Sequence, residues 1–296
     1  MTQQTPDIGI YENVPFETYA EWDAVSNSHL SLFARSPRHY AEGFKGEATD
    51  PMRLGSLQHC GIFEPLSIIE RYAVMPAYEL DALNTTANGA PSDSKCTKFY
   101  KHMKAQFEAA NEGREIVPNS WYRSAKELSV ALHENQRARE ILNGPGPVEV
   151  SIIWDEVIGD SEIRCKARID KVATSLGIIA DLKKCRDVSR FDRTIADFKY
   201  HRQLAHYLSG WQSLTGDELT PAFIYHEPGP PVVVLAATLR DTAILQGNQE
   251  RYRLLAQLAD CRRMDRWPLP PNPTEIDLPS WYYDSAPFIA ANGEEV

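Results

Sequence analysis

The chain has 296 residues, 43% of them hydrophobic, which is enough to bury a sizeable core and carries no bias toward disordered or fibrous sequence. Lysine and arginine number 31 against 41 acidic residues, so the net charge of -10 disfavours capture of polyanions by overall field, and a nucleic-acid ligand would need a local basic groove. Five cysteines, odd in number and at least 20 residues apart, indicate neither a disulfide framework nor a CxxC metal site; with no basic-then-apolar leader pattern and no apolar run longer than "VVVLAA", the chain is read as soluble and cytoplasmic, without membrane contact.

In chain order, "SNSHLSLFARSPRHYAEGF" from Ser26 reads as two short helices, capped by Ser26 or Ser28 and separated at Pro37, within an N-terminal helical segment over 1–50. "MRLGSLQHCGIF" from Met52 is a further helix. Residues 77–97 are polar and turn-rich, a surface loop rather than a domain linker because periodic segments resume on both sides. "TKFYKHMKAQFEAANEG" and "YRSAKELSVALHENQRAREIL" are amphipathic helices. Three strands follow, "VEVSIIW" from Val148, "IRCKARIDKV" from Ile163 and "GIIADLKK" from Gly177. A long helix through "FKYHRQLAHYLSGWQSL", the strands "PAFIYHE" and "PVVVLAATL", and a helix from Arg240 to Arg263 complete the pattern. The proline-rich tail, 267–296, is expected to pack in extended form on the body with Trp281 and Tyr282 as anchors. The order predicts a single α/β domain over 1–296, with a mixed central sheet flanked by helices.

The strands around 163–184 place charges among apolar neighbours. A hairpin whose turn centres between Ser175 and Leu176 sets Asp170 directly opposite Asp181, and opposite residues share a face. Alternation is read as adding Lys183 and Arg168 to that face, with Ile169, Ile179 and Leu182 turned the other way. Two adjacent carboxylates repel each other and are costly to bury unless a cation sits between them; hard oxygen ligands suit Mg²⁺ or Mn²⁺. Such an ion would polarise a phosphoryl group while Lys183 orients the attacking water, which is equipment for phosphodiester hydrolysis.

"RID" at 168–170 followed by "DLK" at 181–183 on the next strand resembles the PD-(D/E)XK nuclease signature. Upstream, "LGSLQHCGIFEP" resembles the GxxxH helix of RecB-type nucleases, with Gly55 and His59 one turn apart. Downstream, "QLAHY" at 203–207 is similar to their QxxxY element. Tyr207 also falls on an apolar stripe with Leu204, Leu208 and Trp211, which marks it as core and leaves Gln203 facing the site. "VSNSHLSLFARSPRHY", "FIYHEPGPPVVVLAATL", "LADCRRMDRWPL" and "IDLPSWY" resemble segments of the RecE-like exonucleases of phages and prophages (exodeoxyribonuclease VIII type). Two departures are Lys184, where that group carries Thr, and Ser92–Lys95, which lacks an arginine.

The resemblance implies a restriction-endonuclease-like core with Asp170, Asp181, Lys183, His59 and Gln203 as catalytic residues, of which His59, Asp170 and Asp181 bind metal. It implies a Mg²⁺-dependent exodeoxyribonuclease, with Mn²⁺ able to substitute, degrading linear double-stranded DNA from an end, 5' to 3', for phage-type recombination. A ring-shaped homo-oligomer and a RecT-like single-strand annealing partner are implied too; the cysteines of an iron-sulfur cluster are absent. Glu149 is read as a third acid near the metal or a partner for Arg168.

From Lys183 to Arg202 the chain holds seven Lys or Arg against three Asp, so Lys184 and Arg186 are candidate phosphate contacts without base specificity. Arg35 and Arg38 either grip a terminal phosphate or face solvent. Two alternatives stay open: a nuclease for flaps or single-stranded ends, and a catalytically silent fold that binds DNA or a recombination protein.

Overall fold

The computed structural model describes residues 5–43 and 48–277. Before the expected helices stands a short edge strand, β1 (Gly9–Tyr11), so the first fifty residues are not purely helical; α1 (Phe16–Glu21) follows. Ser26 caps α2 (Asn27–Arg35): its hydroxyl accepts the His29 N–H at 3.3 Å, while its own N–H donates to His29 Nδ1. α3 (Pro37–Ala41) restarts at Pro37, whose missing N–H would have no partner in a first turn anyway. Then come α4 (Asp50–Phe63), α5 (Ile68–Arg71), β2 (Tyr72–Met75), α6 (Lys98–Ala110) and β3 (Glu115–Pro118). β2 and β3 pair in parallel apart from the main sheet; at four residues each they are too short to show alternation in the sequence.

The loop over 77–97 is organised by one buried side chain. Asn84 Nδ2 donates to the carbonyls of Ser92 (2.6 Å), Glu79 (3.2 Å) and Ser94 (3.2 Å), and its Oδ1 accepts the Thr97 hydroxyl. The helical pattern from Tyr122 onward is two helices, α7 (Asn119–Glu134) and α8 (Gln136–Asn143). Asn135 breaks it by capping the second, with Oδ1 accepting the Ala138 N–H at 2.9 Å and Nδ2 donating to the Val234 carbonyl at 2.8 Å.

β4 (Val148–Ile158), β5 (Ser161–Ala173) and β6 (Ile178–Lys184) form an antiparallel meander. The pairs Lys171↔Ala180, Val172↔Ile179 and Ala173↔Ile178 set the register that puts Asp170 opposite Asp181, as the turn midpoint required. α10 (Tyr200–Thr215) is the long helix expected from Phe198 onward, and α9 (Phe191–Phe198), which was not expected, precedes it across Lys199 at φ +58°. β7 (Thr220–Glu227), β8 (Val233–Thr238) and α11 (Asp241–Met264) close the fold.

The main sheet runs β1-β4-β5-β6-β7-β8, with β6 and β7 parallel and the other neighbours antiparallel, so the domain is α/β with a mixed central sheet flanked by helices. On one face Ile152, Trp154, Ile169 and Ile179 pack against Leu30, Leu204 and Leu255 of α2, α10 and α11. On the other, Ile178, Leu182 and Ile224 meet Phe63, Leu128 and Ile141 of α4, α7 and α8. Ile179 and Leu182 therefore face opposite ways, which corrects the expectation that both turn from the charged side; Ile179 shares the odd positions with Asp181. Burial of these two layers, at about 25 cal/mol per Å², is the main stabilising term. α10 lies close on β4 because residue 210 is glycine: a Cβ there would stand 2.6 Å from the Trp154 ring.

Lys166 on β5 is buried and sends its ammonium to the carbonyls of Trp22 (2.7 Å), Tyr19 (2.8 Å) and Ala20 (3.1 Å), latching α1 to the sheet. At the other end, Trp267 stacks on Tyr40 at 5.9 Å and the Pro268 carbonyl accepts the Arg38 N–H. Residues 268–277 are exposed, and the expected anchors Trp281 and Tyr282 lie outside the described residues. All five cysteines are free, and no helix among the described residues is long and apolar enough to cross a membrane.

Candidate active site

The site forms where β5 and β6 part. Their pairing stops at Lys171↔Ala180, and further along β5 the Val25 segment takes over: its N–H donates to the Arg164 carbonyl at 2.8 Å and its carbonyl accepts the Lys166 N–H at 2.9 Å. The freed Leu182 N–H donates instead to Asp170 Oδ2 at 2.7 Å, so the first acid is fastened to the strand that carries the second. Core-facing alternation along β5 also shifts here. Ile163, Cys165, Ala167 and Ile169 share one core with Val172, which breaks the period of two between Ile169 and Val172.

Opposite Asp170 on β4, Glu149 takes φ +46° and is skipped in the ladder, which passes from Val148↔Lys171 to Val150↔Ile169. A left-handed non-glycine residue costs on the order of 1–3 kcal/mol and persists where its surroundings fix it. Here Arg168 Nε donates to Glu149 Oε2 at 2.6 Å, and His59 Nδ1 of α4 stands 3.5 Å from Oε1 and 3.7 Å from Asp170 Oδ2. Glu149 is thus both a neighbour of Asp170 and the partner of Arg168. Arg168 does not join Asp181 and Lys183, contrary to the single charged face expected: its guanidinium also donates to the Val14 carbonyl at 2.5 Å and approaches Glu64 at 3.9 Å.

Asp181 and Lys183 approach from the α10 side. Gln203 Nε2 donates to Asp181 Oδ1 at 3.3 Å and to Tyr207 Oη at 2.5 Å, so the stripe residue Tyr207 is buried yet bound to a site residue. Lys183 Nζ is 2.5 Å from Asp181 Oδ2 and 4.7 Å from the centre of the Tyr200 ring. The Lys183 ammonium is thus the partner of Oδ2 in a carboxylate only 1% exposed.

The electrostatics follow from burial and crowding. Burial, then the charge of Asp181, pushes the Asp170 carboxyl up to about 7. Burial opposes the charge of Lys183, but Asp181 and Asp170 outweigh it and its pKa is raised. Burial also works against a charged His59, and Asp170 and Glu149 overcome it, raising the ring to about 9 although 32% of the side chain meets solvent. For Glu149, burial is outweighed by His59 and Arg168, and its pKa is lowered.

The cluster therefore demands positive charge. Ligand atoms of His59, Glu149 and Asp170 lie within 4.8 Å of one another, a group that could hold a metal ion; Asp181, expected among the ligands, falls outside that group and is ion-paired with Lys183. Gly55 precedes His59 by a turn and lines the same cleft, and a Cβ there would meet nothing within 4 Å.

A cleft of about 680 Å³ opens over the site, with Asp170, Lys183, Lys184 and Gln203 in its wall. Among the candidate phosphate contacts Lys184 lines it, whereas Arg35, Arg38 and Arg186 do not; Arg38 is ion-paired with Glu42 at 2.6 Å. Among the cleft residues that sequence reasoning missed are Lys166, Tyr200, His226 and Arg71. His226 is buried, which depresses its pKa to about 4 and leaves the ring neutral. Tyr200 had a readable signal, since it precedes Gln203 by three residues on one helix.

The family described as "PDDEXK-like domain of unknown function (DUF3799)" matches residues 26–275. Among solved structures, the fold is similar to a crystal structure of a candidate exonuclease from Eubacterium rectale, with a TM-score of 0.57 and 13% identity over 86% of this chain and 88% of that one. A second, of SSO0001, has a TM-score of 0.26 and 16% identity over 51% of this chain and 69% of that one, too slight a likeness to bear on the fold. No curated protein matches the chain in sequence.

Proposed function

Because this chain belongs to the PDDEXK-like DUF3799 family, we propose that it is a divalent-metal-dependent nuclease, and that its substrate is linear double-stranded DNA degraded from an end. The observation that carries this reading is the meeting of Asp170, Asp181 and Lys183 where two strands part, with the buried Asp181 carboxylate held against the Lys183 ammonium at 2.5 Å. His59, Glu149 and Asp170 would hold the ion, joined by Asp181 as the family resemblance implies, and their oxygen-rich chemistry suits Mg²⁺ or Mn²⁺. When bound, the ion supplies neutralising charge at the phosphate and eases ionisation of the attacking water.

The chain's own groups do the rest. Lys183 stays protonated at neutral pH, so it serves as a fixed charge that orients water and stabilises the developing phosphorane, and does not act as a base. Gln203 fixes the rotation of the Asp181 carboxylate through Oδ1. Lys184 supplies a phosphate contact in the cleft wall, consistent with sequence-independent binding.

The finer reading is the RecE-like one: a cytoplasmic exodeoxyribonuclease of 5' to 3' polarity, working as a homo-oligomer with an annealing protein in phage-type recombination. It rests on the segment resemblances in the sequence. The test is to incubate linear plasmid with Mg²⁺ and wild type or Asp181→Ala. Loss of DNA with wild type alone is expected. Undiminished DNA in both ends the enzyme reading, equal digestion in both ends the site assignment, and duplexes labelled at the 5' or 3' end separate end resection from flap cleavage.

A further inference from the structure

Between α9 and α10 the chain turns through Lys199 in the left-handed region, an unfavourable conformation for lysine. The turn stacks two aromatic rings that are two residues apart. Phe198 and Tyr200 have centroids 5.6 Å apart and ring planes within 18° of parallel. Tyr200 is seated on the core, with Phe223 at 6.1 Å and Phe191 at 6.5 Å; it lines the cleft and holds the Lys183 ammonium over its ring at 4.7 Å. Phe198 is 65% exposed, so it contributes little to core burial, yet it extends the ring stack from the catalytic lysine outward.

From this arrangement we propose that Phe198 and Tyr200 form a stacking platform for an unpaired nucleobase at the substrate's end, with the attached phosphate directed toward Lys183. The reasoning is chemical. A base inside a duplex has both faces covered by its neighbours and a paired terminal base is held square to the duplex axis, so a frayed or single-stranded terminal base is the one free to turn onto an aromatic ring beside the cleft. Lys183 touches the inner ring of the stack, so the backbone that follows a base held on the platform leads toward the reacting phosphate. The exposed Lys199 between the rings offers a cation to the same backbone. The ligand class is thus a DNA end with an unpaired base, of no fixed sequence because every base has a stacking face.

This inference rests on the nuclease reading, and its test is a binding measurement that does not require turnover. Fluorescence anisotropy in Ca²⁺ would compare wild type, Phe198→Ala and Phe198→Trp on duplexes ending in a short single strand that carries either normal or abasic nucleotides. Phe198→Ala should weaken binding of the base-bearing end by about 5- to 150-fold, the range of one base–aromatic stack. Its affinity for the abasic end and its melting temperature should match wild type, and Phe198→Trp should restore the loss. Equal losses on both ends, or no loss on either, overturn the platform while leaving a wild type that digests linear plasmid as a nuclease. A wild type that neither binds nor digests DNA overturns both.

Discussion

Gln203 Nε2 lies 3.3 Å from Asp181 Oδ1, and the same nitrogen donates to Tyr207 Oη, so one amide joins the second acid to the buried phenol of α10. Gln203→Ala should lower kcat on linear DNA by about 10- to 100-fold, the worth of a hydrogen bond to a charged group, with KM little changed. Gln203→Glu should lose more, because a third carboxylate against Asp181 and Asp170 raises the cost of keeping them ionised. Steady-state kinetics on end-labelled duplex checks both, and wild-type kcat in Gln203→Ala would remove the residue from the site.

Arg168 acts through Glu149. Its 2.6 Å bond to that carboxylate fixes the acid beside His59 and Asp170. Arg168→Ala should weaken Mg²⁺ by about 10- to 100-fold, the usual effect of losing a group that orients a ligand. The readout is the Mg²⁺ concentration for half-maximal cleavage. Saturating Mg²⁺ should recover most of the rate, a recovery that damage to the fold would not allow.

Stability should fall on the acid side through His206. Its ring is buried, with Nε2 3.1 Å from the Lys166 carbonyl, and burial depresses its pKa to about 3. An unfolded histidine titrates near ~6.5, so between those values the unfolded chain binds a proton that the folded chain does not. The contribution is complete above about 6.5 and is lost as pH drops toward 3. Urea unfolding should give a free energy ~2 kcal/mol smaller near pH ~5 than near pH ~7 from this group alone. His206→Gln should shrink that difference; an unchanged difference would contradict the assignment.

Gly210→Ala should destabilise by about 1–3 kcal/mol, because the new methyl meets the Trp154 ring and neither α10 nor β4 can move apart without opening the core. Thermal melting of the variant measures the loss. An unchanged melting temperature would show that the helix–sheet contact has slack.

The register that opposes Asp170 and Asp181 was legible because a hairpin's pairing follows from its turn midpoint, a local quantity. Helices with strong periodicity were legible for the same reason, and Ser26 announced its cap. What escaped was set at long range. β1 gains its identity from β4, and the parallel pair β2–β3 joins segments some forty residues apart (72 to 115). The break at Asn135 is a single-residue event within otherwise helical composition, and the short α9 before Lys199 went unread. The division of charges went astray at Arg168, since its partners Glu149 and Val14 come from other elements, and at Ile179, where strict alternation already put it with Asp181. Arg35, Arg38 and Arg186 carried no signal to distinguish a cleft wall from an outer surface.

The three carbonyl contacts of Lys166 set a practical limit on trimming the protein. The family's boundary begins at residue 26, after all three acceptors at Tyr19, Ala20 and Trp22. A fragment cut there would lose those acceptors together with the Tyr19 and Trp22 rings that cover Ile153, a loss of buried packing and hydrogen bonds that weighs against a typical total stability of about 5–15 kcal/mol. The shortest self-sufficient version of this domain thus has to start well upstream of the matched segment.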